Sequence, residues 1–82
     1  MAHLFFFGRV QDIAGQFEIQ VELPDTVSTT DALRDFLNAQ YDQSAYFSDR
    51  AIRIAINNEF AQEPANISNA DEIALMPPVG GG

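Results

Sequence analysis

Eighty-two residues fit one domain, and a chain of this length buries little more than the roughly 60% of unfolded surface expected at about 60 residues, so its core must be small and well packed. Nearly half the residues are apolar and seven are Phe, which argues for a folded globule over disorder, while the absence of cysteine excludes disulfide frameworks, Cys-based zinc sites and catalytic thiols. Twelve acids against four arginines give a net charge of −8, which argues against nucleic acid or an anionic membrane as partner and for a basic protein surface.

The chain opens on MAHLFFFGRV, whose apolar run is far too short for a signal-peptide core or a membrane span, so a soluble cytoplasmic protein is expected. Residues 4–10 read as a Phe-rich strand. A polar break over residues 11–16 comes next, with Gly15 supplying turn chemistry, and then FEIQVEL alternates apolar and polar residues. Period-2 alternation puts Phe17, Ile19, Val21 and Leu23 on one face and Glu18, Gln20 and Glu22 on the other, which predicts a hairpin with one wet face.

A Pro-Asp turn ends that strand, and STTDALRDFLNAQY comes after it with Ser28 or Thr29 as N-cap; Ser28 and Asp31 have capping-box spacing. Ala32, Leu33, Phe36, Leu37 and Tyr41 form one apolar stripe on a helix of about twelve residues, roughly 18 Å long. DQSAYFSDR is a connector, and IRIAIN reads as a strand with Ile52, Ile54 and Ile56 on one side. Asn57 and Asn58 offer a tight turn into residues 59–61, and after the loop QEPANISNADE a last strand carries Ile73 and Leu75. Pro77 and Pro78 end its pairing. The order β-β-α-β-β predicts an α+β domain with a mixed sheet under one main helix, and its two most apolar strands, the first and last, fit side by side as parallel central strands.

These elements assign residues 1–76 to the domain and 77–82 to a flexible tail, PPVGGG. A glycine α-carboxylate is ionised at neutral pH and inert until activated. An ATP-using enzyme can convert it to an acyl-adenylate, and a sulfur donor can then replace AMP to leave a thiocarboxylate. Such chemistry needs a thin tether that reaches a partner's buried site. Residues 77–82 span about 20 Å when extended. Three residues without Cβ can thread a narrow channel, and two prolines stiffen the base.

IRIAINNEF and NADEIALMPPVGGG, with LFFFGRVQDIAG and TTDALRDFL earlier, resemble the small, sulfur-carrying subunits of molybdopterin synthase over essentially the whole chain. The resemblance implies a ubiquitin-like β-grasp fold and a carrier whose Gly82 is adenylated, converted to a thiocarboxylate and used to deliver sulfur to a pterin precursor. It implies three partners: a ubiquitin-activating-like adenylating enzyme that uses ATP, a sulfur donor, and the large synthase subunit. In such systems two small subunits flank a dimer of the large one, a heterotetramer. The carrier binds no cofactor or metal and is not catalytic alone. Four positions depart from the family pattern: Gly80 stands where Thr or Ser is usual, Gln11 where Arg is common, and Leu75 and Met76 where aromatics are frequent.

Gly82, with Gly81 and Gly80 leading to it, is therefore the candidate reactive end. Met76, Pro77, Pro78, Val79 and Phe60 are candidates for an apolar docking surface, and Asp71 and Glu72 for contacts with basic partner residues. Leu75 reads as core. Of Phe5, Phe6 and Phe7, at least two are expected to be buried in a strand. His3 lacks companions at ligand spacing and reads as a strand-end residue. Three rival readings stand beside the carrier: a thiazole-pathway sulfur carrier, a ubiquitin-like modifier joined through Gly82 to other proteins, and a passive binding module. The lack of lysine forbids lysine-linked chains of the modifier itself.

Overall fold

The computed structural model describes residues 1–78, with elements β1 (Ala2–Phe6), α1 (Gly8–Ala14), β2 (Glu18–Val21), α2 (Thr30–Gln40), a 3-10 turn (Tyr46–Ser48), β3 (Arg53–Ile56), β4 (Glu59–Phe60) and β5 (Glu72–Met76). The five strands form one sheet in the order β2-β1-β5-β3-β4. β1 and β5 pair in parallel at its centre, and the other pairs are antiparallel. This is the ubiquitin-like β-grasp arrangement expected from the sequence.

Register decides which side chains meet. Leu4 pairs with Ile19 on one side and Ile73 on the other, and Leu75 lies between Phe6 and Ile54, so the inward residues of β1, β2, β5 and β3 share one face. Leu33 and Leu37 of α2 join that face in a single core with Phe47 of the 3-10 turn. Each fully buried residue of this kind contributes about 1.5–3 kcal/mol. Helix α2 starts where Thr29, in extended conformation, accepts the Ala32 N–H on its hydroxyl at 3.2 Å. Thr29 is thus the cap, and the Ser28–Asp31 pairing does not form; the Ser28 carbonyl instead accepts the Ile67 N–H. Asn57 and Asn58 both take positive φ (51° and 72°), as the tight turn from β3 to β4 requires.

Two expectations for the first third of the chain are corrected. The first strand ends at Phe6, and residues expected to continue it, with the polar break after them, form α1 instead. Gly8, at φ 54°, turns the chain out of the sheet, after which Val10, Ile13 and Ala14 face inward at helical spacing. β1 and β2 therefore pair as expected but are joined by a helix, which Gly15 closes in left-handed conformation. Phe17 does not share the inward face: it lies just before β2, is 43% exposed, and packs edge-on against Phe5 and Phe7.

The loop between α2 and β3 is held by a buried cation. Arg34 is 1% exposed, and its guanidinium makes five hydrogen bonds. Nε and Nη2 donate to the two carboxylate oxygens of Glu63, and Nη1 and Nη2 donate to the carbonyls of Phe47, Asp49 and Ile52. The bidentate fork engages both oxygens of Glu63 while the same guanidinium fixes three backbone carbonyls. Asn38 adds to this, accepting the Phe47 N–H and donating to the Ser48 hydroxyl. The Arg50–Asp31 pair is exposed and contributes little.

Removing the Arg34 side chain leaves the carbonyls of Phe47, Asp49 and Ile52 without their donor, and leaves Glu63, whose side chain is 18% exposed, with Arg50 alone. Arg34→Ala is expected to lower the unfolding free energy by about 3–5 kcal/mol. Arg34→Lys should recover only part, since an ammonium cannot form the fork. Urea titration followed by circular dichroism measures both, and a loss below about 1 kcal/mol for Arg34→Ala, the range of an exposed pair, would contradict the clamp.

Candidate functional site

Only one face of the sheet is covered by α2. On the other, one row of paired residues crosses the strands as Glu18, Phe5, Ala74, Ala55 and Phe60. Two alanines at the centre with a phenylalanine on each side leave a trough of about 270 Å³. Along β5, Glu72 and Met76 lie on the same face as Ala74, one toward each end, because strand side chains alternate. Phe60 is 56% exposed and Phe7 38% exposed, and Phe17 packs edge-on against Phe7 to extend the apolar surface. An exposed apolar patch of this kind marks an interaction surface.

The sequence candidates divide accordingly. Phe60, Met76 and Glu72 come together in the trough. Leu75 points to the other face and is fully buried, as expected. Phe6 is buried, while Phe5 and Phe7 belong to the open face. Asp71 organises its own loop: one carboxylate oxygen accepts from Asn57 Nδ2, the other from the Ser68 N–H. His3, half-buried, pairs with Glu18 across β1 and β2 and stacks on Phe5 at 4.3 Å. Its imidazole therefore borders the patch.

Pro77 and Pro78 sit where β5 leaves the sheet. Pro77 is packed on Gly8: a Cβ built there would lie 2.8 Å from Pro77 Cγ. A second depression of about 420 Å³ lies between the two prolines and Arg9, Tyr46 and Asp49. Burial pushes the Tyr46 phenol above its ordinary value, with nearby Arg9 opposing. Val79, Gly80, Gly81 and Gly82 lie outside the described residues. Sequence reading missed Gly8 as the seat of Pro77 and the paired alanines as the trough floor, since small residues reveal such roles only once register is known.

Among the described residues no helix is long and apolar enough to cross a membrane, and no cluster of three His, Asp or Glu side chains could hold a metal ion. Known proteins are similar to this chain in both sequence and fold. Residues 4–82 match the ThiS family. The chain is 32% identical over 83 residues to a molybdopterin synthase sulfur carrier subunit from Haemophilus influenzae, and 31% identical over 85 residues to one from Escherichia coli, with all of each chain covered. Its fold is similar to that of H. volcanii small archaeal modifier protein 1, with a TM-score of 0.70 and 25% identity over 95% of this chain and 97% of that one.

Two variants test the geometry. Gly8→Ala adds a Cβ at positive φ against Pro77, and is expected to destabilise the fold by about 1 kcal/mol or more and to shift the NMR signals of Pro77 and Pro78. Unchanged stability and unchanged proline signals would contradict the seat. Phe60→Ser removes exposed apolar area, so it should leave the melting temperature nearly unchanged while reducing binding of a hydrophobic dye such as ANS; a large loss of stability would place Phe60 in the core instead.

Proposed function

The chain belongs to the ThiS family, and from that premise we propose that it is the sulfur carrier of a molybdopterin synthase, with Gly82 as the residue that carries sulfur. The full-length similarity to curated sulfur carrier subunits bears most of the weight. The geometry supports it through a single strand. β5 contributes Glu72, Ala74 and Met76 to the open face and then passes directly into Pro77 and Pro78, so a partner docked on that face stands beside the exit of the tail.

An adenylating enzyme joins the Gly82 carboxylate to AMP and releases pyrophosphate from ATP. The terminal sulfur of a persulfide donor attacks the carbonyl carbon, AMP leaves, and a thiol cleaves the resulting acyl disulfide to give the thiocarboxylate. In the large subunit the thiocarboxylate sulfur attacks a carbon of the pterin precursor and displaces an oxygen substituent from it, and water then hydrolyses the resulting thioester, leaving sulfur on the product and a carboxylate on Gly82. In this reading the chain supplies position and cargo while the partners supply catalysis. The assembly would be a heterotetramer acting in the cytoplasm. Contact with basic residues of the partners falls to Glu72, with Asp71 positioned to support the turn before it.

A second reading, a protein modifier, is favoured by the similarity to small archaeal modifier protein 1. Both use an activated glycine end, and they differ in the nucleophile that takes it. One experiment separates them: intact mass spectrometry after incubation with ATP, the adenylating enzyme and a sulfur donor from the same organism. The carrier reading expects an oxygen-for-sulfur mass change confined to the C-terminal peptide, abolished by deleting Gly82 or adding one residue after it, with thermal stability unaltered. Recovery only as a branched conjugate on other proteins supports the modifier, and sulfur loading that survives the deletion refutes Gly82 as the site.

A further inference from the structure

The trough is more than an apolar patch, because its two ends differ. At one end Met76 continues the apolar surface toward Phe7; at the other, Glu72 and Asn58 close it with a carboxylate and an amide. The Glu72 side chain is exposed and makes no ion pair among the described residues. Its neighbour across the β1–β5 pairing is His3, which is already engaged by Glu18.

We propose that this trough receives one basic side chain of the docking partner, whose aliphatic stem lies along Ala74 and Ala55 between Phe5 and Phe60 and whose cation meets the Glu72 carboxylate. The inference rests on the carrier reading and names what the partner must present.

Length supports it. Residues two apart on one strand face are separated by about 6.6 Å, which matches the stem of lysine or arginine lying from the Ala74 floor to Glu72. Such side chains bury their methylenes on apolar surface while keeping the charge at a polar edge. The aromatic walls also suit a cation. Phe60 already holds the Arg53 guanidinium 4.3 Å from its ring centroid, and among the described residues Arg53 is not one that lines the trough.

Charge also selects against a second copy of this chain. Its 82 residues include no lysine and four arginines. Arg34 is buried, Arg50 pairs with Asp31 and Glu63, Arg53 lies on its own Phe60, and Arg9 borders the depression at Pro77. With a net charge of −8 two copies repel, whereas a basic partner is drawn in.

The test is the dissociation constant for the large synthase subunit from the same organism, measured by calorimetry at two salt concentrations, with melting curves for every variant. Glu72→Gln is expected to weaken association about tenfold and to flatten its salt dependence. Glu72→Leu should weaken it at least as much, and Ala74→Leu, which fills the floor, more strongly still. Glu72→Leu binding as well as the unaltered chain or better would mean an apolar occupant and overturn the proposal; Ala74→Leu without effect would mean an empty trough and overturn it too. Failure of the unaltered chain to bind refutes instead the carrier reading beneath it, so the two failures are distinct. Should Ala74→Leu fail to fold, the Glu72 pair decides alone.

Discussion

The parallel pairing of β1 with β5 is the constraint on which the rest depends. It places the last strand at the centre of the sheet, hydrogen-bonded to β1 on one edge and to β3 on the other. A C-terminal segment would ordinarily fray. Here the chain is gripped on both sides up to Met76 and then released by two prolines that cannot extend the ladder. The chain therefore leaves the sheet from its most firmly held strand, at a point fixed relative to both faces.

From that constraint the two faces take different tasks. Inward residues of β5, Ile73 and Leu75, are fully buried against α2 and anchor the strand. Outward residues, Glu72, Ala74 and Met76, leave a shallow trough whose floor is two facing alanines. The buried core and the open surface are thereby separated residue by residue along one strand. The Arg34 clamp serves the same end at a distance, because it holds the backbone of Phe47, Asp49 and Ile52 and so the loop that leads into β3.

Much of this is legible in the sequence. Alternation in residues 17–23 and 52–56, the helical stripe from Ala32 to Tyr41, and the apolar first and last strands are enough for the α+β class and the central parallel pair. Phe60 and Met76, which both line the trough, are legible as candidates for the open face because they are large, apolar and next to turn or proline signals. Three features are not. Helix α1 is hidden because its seven residues offer only two helical periods and begin with a glycine whose positive φ no pattern announces. Arg34 looks like a surface cation, since its burial depends on three carbonyls and a glutamate that loops bring together from residues 47–63. Ala55 and Ala74 carry no signal by themselves; only their register across β3 and β5 makes a trough.

Delivery of a sulfur atom from Gly82 to a partner docked on the open face is best decided by a single turnover. The chain is made with a C-terminal thiocarboxylate by sulfide cleavage of an intein fusion, mixed with the large synthase subunit and the pterin precursor, and followed by intact mass. The thiocarboxylate is expected to return to a carboxylate as the pterin gains sulfur, in equal amounts, only when both are present. A thiocarboxylate that persists beside an active large subunit, or one consumed without sulfur reaching the pterin, would rule such delivery out.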